Sequence, residues 1–121
     1  MDCSKENCPM TLAVNMISGK WKLFILYGLR DGEKRYSELR RICEGITEKM
    51  LTNQLRELEK DGLIKRKVYP QVPPKVEYSF TEIGERLSFM FDPLYNWGLD
   101  YIKEKRPEQY HLVKQYEKTS H

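Results

Sequence analysis

The chain has 121 residues, 40% apolar and 32% charged, with a formal net charge of +3. That is length for one compact domain around a single core, and composition for a well-hydrated surface. No run of about 18 apolar residues is present, which argues against a membrane-spanning helix, and the start lacks the apolar core and small-residue cleavage site of a signal peptide.

In chain order, Pro9 suits the first turn of a helix, where its missing N–H costs nothing, which puts Cys8 at the N-cap. This helix, about 9–18, carries Leu12, Ala13, Met16 and Ile17 on one side and stops at Gly19. A second helix, about 20–30 ("KWKLFILYGLR"), is apolar almost all round and is expected to be central and buried. "RDGEK" reads as a turn, and "YSELRRIC" as a short third helix over about 36–43. In "EGIT", Gly45 offers a left-handed stop and Thr47 an N-cap, with Ile46 pointing inward between them. Two helices joined by a short glycine turn outline a helix-turn-helix. The fourth helix runs from about 48 to 61 and ends at Gly62.

Beyond Gly62 the hydrophobic period changes to two. "LIKRKVY" and "KVEYSF" read as strands, the second with Val76, Tyr78 and Phe80 on one face. Between them "PQVPP", with three prolines in five residues, predicts a stiff, extended hairpin tip. Thr81 caps a fifth helix with Ile83, Leu87, Met90 and Phe91 on one side. Asp92-Pro93 predicts a break and restart, with Asp92 as the new N-cap. A last helix, about 93–105, shows Leu94, Trp97, Tyr101 and Ile102 before Pro107 ends it. The predicted fold is mainly α with a small β-hairpin wing (α+β): a winged helix-turn-helix flanked by extra helices at both the N- and C-terminal ends. Residues 1–7 form a polar tail, 8–106 the domain, and 107–121 a second polar tail.

The fourth helix divides cleanly. Leu51, Leu55 and Leu58 share one side, while Lys49, Thr52, Asn53, Arg56 and Lys60 gather on the other. Any solvated amphipathic helix has polar residues opposite its leucines. These residues, however, are the types that suit base edges and phosphates. Asn pairs with adenine, Arg with guanine, and Thr contacts either or a thymine methyl. The start of a recognition helix meets the bases, so Lys49, Thr52 and Asn53 are stronger base-reading candidates than Lys60.

Charge placement agrees. From Arg30 to Lys75 there are 12 Lys/Arg against 8 Asp/Glu, whereas the rest of the chain holds 9 against 10. Lys65, Arg66, Lys67 and Lys75 flank the wing, and Arg40 and Arg41 lie on the supporting helix; phosphate contact and protection of a strand edge both account for the strand cations. The terminal helices carry Phe91, Leu94, Trp97, Tyr101 and Ile102, more apolar surface than one wing covers, which fits a homodimer on an inverted-repeat DNA site. Trp21 and Trp97 are expected to serve packing.

Enzyme motifs are missing. There is no Gly-rich phosphate loop, no HExxH and no nucleophile elbow, and His111 and His121 both fall in the tail. No cofactor is expected. A winged helix used purely as a protein–protein module, and a regulator answering to a small ligand in an apolar pocket, are the alternatives.

Three cysteines are an odd number in a chain large enough to fold unaided, which favours a reducing cytoplasm over a disulfide scaffold. Cys3 and Cys8 supply two metal ligands where zinc needs four, so no metal site is expected without tail histidines or a second copy. A Cys3–Cys8 disulfide is sterically allowed. Cys8 stands at a helix N-terminus, whose partial positive charge favours thiolate, after a polar segment that promises access. Cys43 closes the third helix beside the turn, either as a small core residue or as a partner for Cys8 whose modification would move the reading unit.

The segments "CPMTLAVNMISGKWKLFIL", "RYSELRRICEGITEKMLTNQLRELEKDGLIKRKVYPQVPPKVEYSFTEIGERL" and "YNWG" resemble, in order and spacing, the HxlR-type winged helix regulators of bacteria. The resemblance covers about 8–104. It rests on "GKW", on "LREL" followed by "DGL", and on the "YPxVPPxVEYSxTExG" pattern, which together are specific. It implies a homodimeric, DNA-binding transcriptional regulator related to the MarR group. The terminal helices would form the dimer interface, the fourth helix would enter the major groove, and the wing would touch flanking backbone or minor groove. On that pattern Lys49, Thr52, Asn53 and Arg56 become recognition-helix contacts, and Lys65, Arg66, Lys67 and Lys75 wing contacts. Cys8 falls on the family's Cys-Pro position, which in a number of members senses electrophiles, quinones or oxidants.

Overall fold

Residues 8–113 are described by a computed structural model. They run α1 (Pro9–Ile17), α2 (Lys22–Gly28), β1 (Lys34–Arg35), α3 (Tyr36–Ile42), α4 (Glu48–Lys60), β2 (Ile64–Tyr69), β3 (Lys75–Phe80), α5 (Glu82–Ser88) and α6 (Phe91–Lys105), then a 3-10 turn at Pro107–Gln109. Cys3, the rest of the 1–7 segment and His121 lie outside the described residues.

The core is built where apolar stripes converge. Ile25 and Leu26 of α2, Leu39 of α3, and Leu51 and Leu58 of α4 are all at 0% exposure, joined by Ile64 and Tyr78 from the sheet and Phe91 from α6. α2 is central, as its all-round apolar sequence predicts. One side holds Ile25, Leu26 and Leu29 in the core, and Leu23, Phe24 and Tyr27 are half-buried on the other.

The α3–α4 turn follows from three residues. Gly45 takes φ +93°, a left-handed conformation that costs glycine little and other residues more. Ile46 then drops into the core at 5% exposure, its N–H donating to the Cys43 carbonyl at 3.0 Å. Thr47 caps α4, its hydroxyl oxygen accepting from the Met50 N–H at 3.1 Å. Turn and cap together fix the direction in which α4 leaves the core.

The sheet departs from the expected two-stranded hairpin. It has three strands in the order β1-β3-β2, with Lys34 opposite Tyr78 and Arg35 opposite Glu77. β1 starts on the last residue of the segment read as a turn, Lys34, and continues through Arg35. Two cationic residues carry no period-two signal, and only pairing with β3 makes them a strand. β2 and β3 pair antiparallel from Ile64–Phe80 to Tyr69–Lys75, leaving the proline-rich segment at the tip.

Helix α5 also corrects the expected pattern. Its inward side is Gly84, Leu87 and, after the break, Phe91; Ile83 and Met90 are 58% and 62% exposed. Gly84 sets this. A Cβ there would run into the Leu63 carbonyl oxygen, so the backbone of α5 itself lies against the turn that leads from α4 into β2, and Ile83 is turned outward. A residue without a side chain adds nothing to an apolar count, which is why the stripe reads differently in sequence. Thr81 caps α5 through Gly84 N–H at 3.1 Å and also hydrogen-bonds the Gly62 and Leu63 carbonyls. A break before α6 is present, but it falls at Phe89–Met90 and not at Asp92-Pro93: α5 ends at Ser88 and α6 begins at Phe91, with Met90 as N-cap in place of Asp92.

A large apolar face is left uncovered. α1 has no fully buried residue, with Met10, Leu12 and Val14 more than half exposed. On α6, Leu94 is 50% and Trp97 66% exposed, so Trp97 packs on Tyr101 (ring centroids 5.6 Å apart) and not into this chain's core. Between α2 and α6 lies a cavity of about 520 Å³ walled by Leu23, Phe24, Tyr27, Tyr95 and Ile102, with Leu112 and Val113 closing one side.

Candidate nucleic-acid interface

With Leu51, Leu55 and Leu58 committed to the core, helix geometry forces the opposite face of α4 outward. Lys49, Asn53 and Arg56 are exposed and Thr52 is half-buried. The four are brought together as the wall of a groove of about 560 Å³, completed by Tyr36 and Glu48. Among the described residues, no acidic side chain lies within salt-bridge distance of Lys49 or Arg56. These cations therefore face solvent uncompensated.

The back of α4 is anchored differently. Lys22 of α2 reaches Glu57 at 2.7 Å, tying the helix to α2 away from the groove. At the front, the Tyr36 hydroxyl donates to the Glu48 carbonyl at 3.1 Å and lies 3.3 Å from Thr52 Oγ1. Arg40 Nη1 pairs with Glu48 at 2.8 Å, so in the free chain this supporting cation is held by a carboxylate on the first turn of α4.

The wing carries its cations in two ways. Lys65, Arg66 and Lys67 are exposed on β2, with Arg66 opposite Tyr78 in the register of the sheet. Lys67 and Lys75 flank the Tyr69 ring from 4.8 Å and 4.9 Å, and Lys75 also lies 3.7 Å from Glu77. Attraction of both ammonium groups to one ring keeps the two heads near the hairpin tip.

Tyr36 and Glu48 were not among the residues singled out from sequence. Neither lies on a motif for base reading. They join the site through contacts spanning 12 and 16 residues, which no local pattern reports.

The two cysteines are not brought into an open site. Cys8 is 4% exposed, against the access expected from its polar flank. The polarity of preceding residues does not set the direction of the cap's own side chain, and a thiol is small and apolar enough to be covered. Cys43 is 1% exposed in the core, and burial pushes its thiol from an ordinary 9.0 up to about 11. Among the described residues, no group of three or more His, Cys, Asp and Glu is placed to hold a metal, and no helix is long and apolar enough to cross a membrane.

A glycine-turned helix pair, a three-stranded sheet ending in a wing, and a cationic groove on the second helix define a winged helix-turn-helix transcriptional regulator, not an enzyme. Residues 16–106 match the model of the HxlR-like helix-turn-helix family, to which the chain belongs. It is 53% identical to the HTH-type transcriptional regulator YybR of Bacillus subtilis over 95 residues, covering 78% of this chain and 76% of that protein. Among solved structures it is similar to the redox regulator HypR in its reduced form, with TM-score 0.77 and 48% identity over 85% of this chain and all of that one. The oxidised form of HypR matches with TM-score 0.71 and 53% identity over 75% of this chain and 94% of that one.

Proposed function

We propose that the protein acts as a homodimer that binds an inverted-repeat DNA operator, α4 entering the major groove and the wing touching the flanking backbone. The observation that carries this is the groove on α4, where Lys49, Thr52, Asn53 and Arg56 converge free of acidic neighbours except Glu48. In this reading Lys49, Thr52, Asn53 and Arg56 contact bases and their phosphates, with Lys65, Arg66, Lys67, Lys75 and Arg40 on the backbone. The uncovered face of α1 and α6 supports the dimer, because an apolar surface of that extent needs a partner. Titration of genomic fragments at rising salt tests it: affinity should fall linearly on a logarithmic salt scale, with a slope set by the phosphate contacts. Absence of binding at low salt sinks the reading.

The same proposal extends to thiol sensing through Cys8. Its support is the similarity to a redox regulator, together with the place of Cys8 at the cap of α1, a helix with no fully buried residue that meets the core through half-buried Met16 and Ile17. Local opening of that helix would expose the cap thiol to an electrophile or oxidant. Cys43, protonated at neutral pH, is suited to respond second. A disulfide between them, within or between protomers, transfers two electrons and two protons to the oxidant. Mass spectrometry after diamide, with DNA affinity followed in parallel, decides it. If Cys8→Ser responds as the parent does, thiol sensing by Cys8 fails.

A second reading is favoured by the cavity between α2 and α6, whose apolar walls suit a small hydrophobic effector. It predicts a ligand-dependent change in DNA affinity that survives replacement of both cysteines.

A further inference from the structure

The Tyr36 hydroxyl has two neighbours, the Glu48 carbonyl oxygen at 3.1 Å and Thr52 Oγ1 at 3.3 Å. A carbonyl only accepts, so the single Tyr36 proton goes to Glu48. The contact between the two hydroxyls must then run the other way, with Thr52 donating and Tyr36 accepting. Once its proton is directed back to Tyr36, Thr52 has only lone pairs left to offer the groove it lines.

We propose that Tyr36 is a specificity-determining residue: it fixes the hydrogen-bond polarity of Thr52, which reads DNA as an acceptor only. In the major groove, acceptors select the amino groups, N6 of adenine or N4 of cytosine, and are refused by guanine O6 and N7 and by thymine O4. A threonine with a free proton rotates to suit either set, so the polarity comes from residue 36. The inference rests on the reading that α4 enters the major groove.

The test is selection from a randomised duplex pool by the parent, Tyr36→Phe, Thr52→Val and Thr52→Ser, with salt titrations and thermal melts of each. Thr52→Val identifies the position that Thr52 reads, by the preference it abolishes. At that position the parent should prefer adenine or cytosine by about three- to tenfold, the range of one hydrogen bond. Thr52→Ser should keep that preference. Tyr36→Phe should lose it there alone, with other positions, salt slope and melting temperature close to the parent's. The proposal is overturned if the parent prefers guanine or thymine at that position, if Thr52→Val alters no position, if Tyr36→Phe keeps the parental preference, or if Tyr36→Phe weakens all sequences alike. The base chosen by the parent tests it even where Tyr36→Phe does not fold. A parent that enriches no sequence instead brings down the α4 reading, and this inference with it.

Discussion

Arg40 Nη1 lies 2.8 Å from Glu48 Oε1, so a cation of α3 is paired with the first residue of α4. Phosphate and carboxylate compete for the same guanidinium. Glu48→Gln removes one competitor and is expected to tighten DNA binding and steepen the salt slope by about one contact. It should also cost about 0.3–1 kcal/mol of stability, since Glu48 complements the α4 N-terminus. An unchanged slope by fluorescence anisotropy across salt concentrations would show that Arg40 meets no phosphate.

Helix and wing are expected to fail differently. Asn53→Ala should cost about 1–3 kcal/mol on the preferred site and little on random DNA. Lys67→Ala should weaken both alike and flatten the salt slope. Paired titrations on specific and scrambled duplexes separate the two, and identical behaviour would refute the division of labour.

Leu94→Asp places a carboxylate in the middle of the uncovered α6 face. Because Leu94 is already half exposed, the single chain should melt within a few degrees of the parent, while sedimentation should show a monomer in place of a dimer. Affinity for an inverted repeat should then fall toward that for one half-site.

Cys43 and Tyr78 make the fold alkali-sensitive. Burial raises the Cys43 thiol from 9.0 to about 11 and raises Tyr78 above its ordinary 10.0. Both are neutral when protonated, so between about pH 9 and 11 for Cys43, and above about pH 10 for Tyr78, the folded chain holds protons that the unfolded chain has released. Stability is therefore fully present below pH 9 and lost as pH rises through that window. Urea unfolding at several pH values should show the decline, and Cys43→Ala should reduce its slope whatever its effect at neutral pH.

Much of this was legible in short-range pattern. The i, i+4, i+7 leucines of α4 divide buried from exposed residues by helix geometry alone, and Gly45 and Thr47 announce the turn through their backbone chemistry. The unread parts depend on partners distant in sequence. β1 exists through β3, the face of α5 is set by how closely Gly84 approaches Leu63, and the Tyr36–Thr52 contact spans 16 residues. The covering of Cys8 likewise depends on which way one side chain turns, and composition carries no record of direction.

The tip of the hairpin, residues 70–74, projects with Val72 at 99% exposure between prolines. An ordinary loop held against a DNA backbone surrenders about 1–2 kcal/mol of backbone freedom per residue fixed. Three of these five residues have φ already locked by their rings, so that loss was incurred on synthesis and not on contact. In the proposed reading, Lys67 and Lys75 would meet phosphates from a support whose backbone is already restricted. The same lysines on a glycine-rich tip would carry identical charge, arrive as fast, and leave sooner.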